Sequence, residues 1–326
     1  MTSYDLTPQY SGDSNKMIEE LINETSQQWV FLMRDKGDRE PHCEKHLKRD
    51  TVCYDQIQRQ NLILDLCYKY QHINLETRYR GNAGSEIVHT PFYKFGSLEA
   101  FLKTWRTCNS TAIIPEGFLW RVFTDMSNAL LYIHSGSVRN HFEVRECRHP
   151  SHEIRHRDIR PANIFMTSDN PRFQYPHFVL CNFINATWKY GNGAIATDYA
   201  KQHLDLDFKP PEAGDPDSDS TLYYQKASDV YMLGLTIHCL ACRLDKPEKG
   251  LVETDPVGRH YTPYLKDVTQ SCLKTTVHDR PNARDLCQAI ETNNFRYRME
   301  LDRSGCEDPD LVGKAFDATE RHRRFL

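Results

Sequence analysis

The sequence predicts an α+β protein whose strands lie mainly before residue 96 and whose helices dominate after it. Three observations carry this. Residues 29–34 and 86–93 are short β-prone runs, and both fall in the first third of the chain. Residues 115–134 place Phe118, Leu119, Val122, Phe123, Met126, Ala129, Leu130, Leu131 and Ile133 at a period near 3.6, the mark of a strongly apolar helix. The 326 residues, 39% hydrophobic and 26% charged, suffice for a sizeable core in one two-lobed domain or two ordinary ones.

Residues 1–15 are polar and turn-rich and are expected to form a loose leader, and 17–22 start either a helix or a first strand; the leader as a whole is taken as 1–26. The run Trp29, Val30, Phe31, Leu32, Met33, Arg34 stops at Asp-Lys-Gly-Asp, so it reads as a strand followed by a polar excursion. Residues 55–70 space Ile57, Leu62, Ile63, Leu66 and Cys67 as a helix does. Residues 213–220 are an acidic, turn-rich linker, and a charged segment after about residue 299 forms a tail or peripheral helix.

A net charge of -4 gives no basic footprint, which argues against nucleic acid as the main ligand. The N-terminus has no charged-then-apolar signal pattern and no run approaches ~18 apolar residues, so a soluble, intracellular protein (cytoplasmic or nuclear) without a membrane partner is expected. Eleven scattered cysteines, an odd number, fit reduced thiols better than a disulfide framework. Cys239 and Cys242 spell Cys-x-x-Cys, but they sit inside an apolar helix where thiols pack as core.

The most informative stretch is His156-Arg157-Asp158-Ile159-Arg160-Pro161-Ala162-Asn163, followed by Leu180-Cys181-Asn182-Phe183-Ile184-Asn185-Ala186. It resembles the catalytic loop and then the metal-binding strand turn of protein kinases, His-Arg-Asp-x-Lys-x-x-Asn and Leu-x-Asp-Phe-Gly-x-Ala. Lys209-Pro210-Pro211-Glu212, Asp229 at the head of an apolar helix, and His278-Asp279-Arg280-Pro281 continue the resemblance in the family's order. It covers roughly residues 27–295 and implies a bilobal fold, with a small β-rich N-lobe and hinge (27–95), a larger helical C-lobe (96–298) and a tail (299–326). The Tyr-Pro-x-x-Val-Leu approach to Asn182 and an insertion over 135–153 look most like fungal kinase-like sequences.

The resemblance implies roles position by position. Asp158 and Asn163 match the catalytic aspartate and the metal-binding asparagine, with Arg160 standing where the catalytic-loop lysine belongs. Asn182 occupies the metal-binding aspartate's place and Ile184 the glycine's. If residues 29–34 are the third strand, the phosphate-binding lysine falls on Met33, or on Arg34 with a one-residue slip. Gln60 stands where the helix glutamate should pair with it. Gly12 is the only glycine before residue 37, so the glycine-rich phosphate cover is read as missing. Thr90 aligns with the gatekeeper and Pro91 to Tyr93 with the hinge that would face adenine, although a plain core strand entering a helix explains these residues as well. Leu64, His156 and Phe183 match positions of the apolar column that joins the lobes, Asp229 the brace of the catalytic loop, and Glu212 with Arg280 a buried bridge. Thr187, Thr197, Tyr190 and Tyr199 are the hydroxyls of the activation segment, with Arg157 the natural partner of a phosphate there, though all of them also read as ordinary loop residues.

With lysine, glutamate, aspartate and glycine loop all lost, catalysis would be abolished, and the expectation is a pseudokinase that regulates or scaffolds by binding another protein, an active kinase among the candidates. No cofactor is then expected. The rival is an atypical Ser/Thr kinase using ATP and Mg²⁺, in which Lys36, Lys45 or Lys48 reaches the phosphates from an unusual strand. Its discriminator is an amino group beside Asn182. A third reading makes the 135–153 insertion a zinc-organised interaction module through His141, Cys147, His149 and His152, a spacing that matches no common finger.

Overall fold

The computed structural model describes residues 16–26, 28–35, 41–48, 52, 54–70, 72–77, 87–109, 111–140, 143–146, 152–167, 175–190, 204–214 and 224–304. The chain opens with three strands, β1 (Lys16–Glu24), β2 (Gln28–Asp35) and β3 (His42–Leu47), then helix α1 (Tyr54–Tyr70) and strand β4 (Ile87–Pro91). These strands form one antiparallel sheet in the order β1-β2-β3-β4. Residues 16–24 are therefore its edge strand, the strand alternative for 17–22, although they fall inside the stretch 1–26 taken as a leader.

Beyond the sheet the chain is mainly helical. Helix α2 (Leu98–Cys108) starts at Ser97, whose hydroxyl caps the Ala100 amide. Helix α3 (Glu116–Ser135) follows the apolar period read in the sequence and stops at Gly136, whose φ of 66° suits a residue without Cβ. Then come short strands β5 (Ser137–Asn140), β6 (Glu143–Glu146), β7 (His152–Arg155), β8 (Ile164–Thr167), β9 (His177–Leu180) and β10 (Thr187–Tyr190), paired as β5-β6, β7-β10 and β8-β9. Helices α4 (Lys226–Cys242), α5 (Lys249–Thr254), α6 (Pro263–Cys272) and α7 (Ala283–Ser304) complete the body. Helix α7 runs through residue 299, about where a charged tail or peripheral helix was expected to begin, to Ser304.

Helix α3 is the core's axis. It packs on α4, α7, β7 and β9, and Phe118, Phe123, Leu130 and Ile133 are fully buried. Phe118 stacks on Phe101 and meets Phe178 edge-on, joining α2, α3 and β9. Leu64, His156 and Phe183 are completely buried, and the His156 and Phe183 rings meet edge-on at 4.9 Å. Arg280 makes two hydrogen bonds of 2.8 and 2.7 Å to the Glu212 carboxylate, with its own side chain fully buried and that of Glu212 13% exposed. A small antiparallel sheet followed by a helical body is consistent with the kinase-like bilobal arrangement. No described helix is long and apolar enough to cross a membrane.

Of the insertion, hairpin β5-β6 and strand β7 are described; His141, Cys147 and His149 lie outside the described residues, as does the side chain of His152. Thr197 and Tyr199 lie outside as well, whereas Thr187 is a buried residue of β10. Cys239 and Cys242 are free thiols, and burial raises both above their ordinary value, Cys242 to about 11, as for packed and unreactive sulfur.

Candidate nucleotide cleft

The cleft lies between the sheet and the helical body, and alternation along each strand decides which side chains enter it. On β3 Cys43 and Lys45 face inward, so the registers opposite Lys45, Val30 on β2 and Val88 on β4, share its face. Ile22, Asn23, Thr25, Gln28 and Val30 of the β1-β2 hairpin line one wall; Thr90, Pro91, Phe92 and Tyr93 line the back; and Arg160, Ala162, Asn163 and Asn182 form the floor. Two sequence expectations change here. A hairpin does cover the cleft, built without glycine in its described residues, so cover and glycines are separable. The amino group in the cleft belongs to Lys45 on β3, one strand later than the run chosen from sequence; Met33 points to the opposite face and is fully buried, and neither Met33 nor Gln60 lines the cleft.

Lys45 forms a buried ion pair with Glu76, its ammonium on Glu76 Oε1. Burial, the largest single effect, would lower its pKa, but the Glu76 charge and hydrogen bond, with smaller contributions from Cys181 and Cys43, together outweigh it and hold the ammonium above its ordinary value. Glu76 is fixed by backbone: Leu75 bridges Leu180 in parallel, the Glu76 amide donates to the Leu180 carbonyl at 2.9 Å, and the Leu180 amide donates to the Asn74 carbonyl at 2.9 Å. Asn74 adds a side-chain hydrogen bond to the Phe178 carbonyl. The segment is thus zipped onto β9, which delivers the carboxylate to the turn where the Asn182 amide donates to Glu76 Oε2 at 3.0 Å. Gln60, read as the ion-pairing position, is fully buried on α1, and neither its Oε1 nor its Nε2 has a hydrogen-bond partner among the described residues.

On the floor, Asp229 accepts the amides of His156 (2.9 Å) and Arg157 (2.8 Å) and a hydrogen bond from His134 Nε2 (2.9 Å), which sets the backbone before Asp158. Arg157 there adopts φ 70°, the left-handed region costly for a non-glycine residue and held by those bonds. Burial depresses the pKa of His156, so the ring is neutral; its Nε2–H donates to the Cys181 carbonyl at 3.0 Å while Nδ1 accepts the Asp158 amide at 3.3 Å. Asn163 donates to the Asp158 carbonyl and receives the Asn182 amide nitrogen at 3.1 Å. Asn182 sits at φ 70°, which asparagine tolerates, and its buried Oδ1 has no partner among the described residues. Arg160 Nε donates to Asp158 Oδ1 at 2.9 Å and its Nη1 to Asp205 Oδ2 at 2.8 Å, tying the carboxylate to the segment before Phe208.

The geometry therefore brings together Lys45, Glu76, Asp158, Arg160, Asn163 and Asn182. Sequence reading missed Glu76 and kept Lys45 only as one of three candidates. The signal for Lys45 was the alternation in His42-Cys43-Glu44-Lys45-His46-Leu47; Glu76 had none, because its place depends on a single bridge to β9.

Among known proteins the chain is similar to protein kinases. It is 26% identical over 208 residues to the G2-specific protein kinase fin1 of Schizosaccharomyces pombe, covering 60% of this chain and 27% of that protein. It is 23% identical over 190 residues to the serine/threonine-protein kinase Nek2 of Mus musculus (54% and 36%). It is also 23% identical over 233 residues to the G2-specific protein kinase nimA of Emericella nidulans (63% and 30%). The matches span about a third of the length of these relatives. No family model matches the chain.

Proposed function

We propose that this protein is an atypical, slow protein kinase-like phosphotransferase that binds ATP in the cleft and passes the γ-phosphate to a serine or threonine hydroxyl of a protein. The observation that carries this is the Lys45 ammonium, held by Glu76 in the cleft that Asn163 and Asn182 floor. With lysine, a carboxylate partner and a covering hairpin present, the substitution at Asn182 stands as the main chemical departure, and a neutral oxygen in place of the carboxylate weakens the hold on the metal, which is why the proposed transfer is slow. The relatives' names, serine/threonine and G2-specific protein kinases, supply the substrate class.

In this reading Glu76 orients Lys45, which meets phosphate oxygens, and the backbone of Pro91 to Tyr93 receives the adenine edge. Asp158 takes the proton of the acceptor hydroxyl as its oxygen bonds to the γ-phosphorus; the bond from that phosphorus to the β–γ bridging oxygen breaks and ADP leaves. Arg160 brings positive charge beside Asp158 where negative charge develops. The Asn182 Oδ1, without a partner among the described residues, fits a cation, and with Asn163 it would hold Mg²⁺, which neutralises phosphate charge when bound; a carbonyl in place of a carboxylate holds it more weakly. A regulator that acts only by binding a protein is the second reading, favoured by the Arg160 link between Asp158 and Asp205.

Thermal shifts with adenosine and with ATP, with and without Mg²⁺, test the proposal alongside γ-phosphate transfer to the protein itself and to a mixed peptide pool. ATP at 100 times its Kd should stabilise the ligand-free protein by about 2.7 kcal/mol, and adenosine at the same concentration by clearly less. Lys45→Met should remove that excess, and Asp158→Asn should abolish transfer while leaving binding. Equal shifts for adenosine and ATP with no transfer would overturn the kinase reading.

A further inference from the structure

The opposite face of the sheet holds a second cluster that the cleft chemistry leaves unused. His42, Glu44 and His46 alternate along β3 on the face away from Lys45, and His89 of β4 stands directly opposite Glu44 in the antiparallel register. One ligand atom each from His42, Glu44 and His89 lies within 4.8 Å of the others. His89 Nδ1 is 3.6 Å from Glu44 Oε2, near the edge of a tetrahedron built on zinc bonds of roughly 2.0–2.2 Å. The other carboxylate oxygen, Oε1, lies 2.6 Å from His46 Nε2.

We infer that His42, Glu44 and His89 form a binding site for a divalent transition metal of the zinc class, with His46 positioning Glu44 by donating to its Oε1. The residue types are those that take such an ion: neutral imidazoles and one carboxylate, a set that suits zinc over magnesium or calcium. The strand geometry suits it too, because alternate residues of one strand and the cross-strand neighbour of the middle one converge on one side of a sheet. Burial makes the site a built one. Glu44 is 1% exposed and His42 2%, so the carboxylate is carried into a buried face, where a bound cation is a favourable companion. A ligand carboxylate oriented through its second oxygen is the arrangement expected of a metal site, and His46 provides it. The ion would staple β3, the strand bearing Lys45, to β4, the strand that ends at the hinge, and so steady the cleft from behind whether or not phosphate is transferred.

The full chain, freed of metal with a chelator and titrated with Zn²⁺ and Co²⁺ alone, tests this. We expect uptake of one equivalent per chain, a rise in melting temperature that saturates with it, and a Co²⁺ spectrum of nitrogen and oxygen ligands without a thiolate charge-transfer band. Glu44→Gln and His89→Ala should lose the stoichiometric uptake, and His46→Ala should bind about 10–100-fold more weakly. Should Glu44→Gln or His89→Ala fail to fold, the wild-type Co²⁺ spectrum and the His46→Ala titration still decide. No stoichiometric uptake, a thiolate band, affinity unchanged in His46→Ala, or uptake kept in a folded His89→Ala protein and lost when His141, Cys147 and His149 are all changed to alanine would each overturn the assignment.

Discussion

Asp229 and Lys45 are both charged side chains taken out of water, and the difference in their surroundings separates the two halves of the molecule. Every bond Asp229 needs comes from within the helical body: two backbone amides from the catalytic loop and one ring from α3. Burial pushes its carboxyl up, but the His134 hydrogen bond and charge, then His156 and Arg157, outweigh that and hold it below its usual value. Lys45 is satisfied by the single Glu76 carboxylate, and the cleft it faces has at its floor Asn182, whose buried Oδ1 has no hydrogen-bond partner among the described residues. A fully satisfied buried network holds shape, whereas orphaned polar atoms beside a cavity mark where a ligand completes the set.

The largest effect should follow from breaking the satisfied side. Asp229→Ala strips a hydrogen-bond acceptor from two buried amides and leaves His134 without its carboxylate, so a loss of about 3–5 kcal/mol is expected. Chemical denaturation of the wild type and variant measures it directly. A loss under about 1 kcal/mol would show that the loop conformation, including the left-handed Arg157, is held by other contacts.

Acid should weaken the fold by a smaller amount, and the sign is set by several groups acting together. His72, lowered to about 4 by burial, and His156, lowered chiefly by burial, are held neutral in the fold while their unfolded counterparts take up protons near pH 6.5. Stability from these rings is complete above pH 6.5 and drains as pH falls toward about 4, at about 3 kcal/mol or less for His72 by the 1.36 kcal/mol carried by each pKa unit. Asp229, held below its usual value, adds a further loss only at lower pH still. Melting curves between pH 7 and 4 should show the decline, and His72→Gln should flatten it. A flat profile in the wild type would mean that these rings titrate normally.

How much of this was legible in the sequence follows the same division. The catalytic loop, Asp229 and the Glu212–Arg280 pair could be placed because each lies within or beside a strongly apolar helix or a compact motif whose spacing survives in one dimension. In the sheet, the strand with the highest β-propensity, β2, was taken for the one bearing the lysine. The true one, β3, reads His-Cys-Glu-Lys-His-Leu and looks polar throughout, because one face carries Lys45 and the other the His42, Glu44 and His46 cluster. Alternation was present, but polar residues on both faces removed the contrast that reveals it. Glu76 was invisible for a different reason: its neighbourhood is created by the bridge of Leu75 to Leu180, a contact across more than a hundred residues.

The smallest effect expected is a gain. Gln60 lies fully buried on α1 with no partner for either amide atom among the described residues, while Glu76 has taken the lysine it would otherwise face. Burying an amide without hydrogen bonds costs about 1–3 kcal/mol, and an apolar residue of similar volume avoids it. Gln60→Leu should therefore stabilise the protein by about 1 kcal/mol, roughly 2 °C in melting temperature for a chain of this size. Glu76→Gln gives the contrast, since it leaves the Lys45 ammonium buried without a carboxylate and should lower the melting temperature. If Gln60→Leu instead destabilises the free protein, the amide is satisfied in solution and the orphaned side of the comparison shrinks to Asn182. If it stabilises the free protein but lessens the extra stabilisation by ATP, Gln60 has a partner in the nucleotide-bound state, and the helix position that lost its glutamate still serves the cleft.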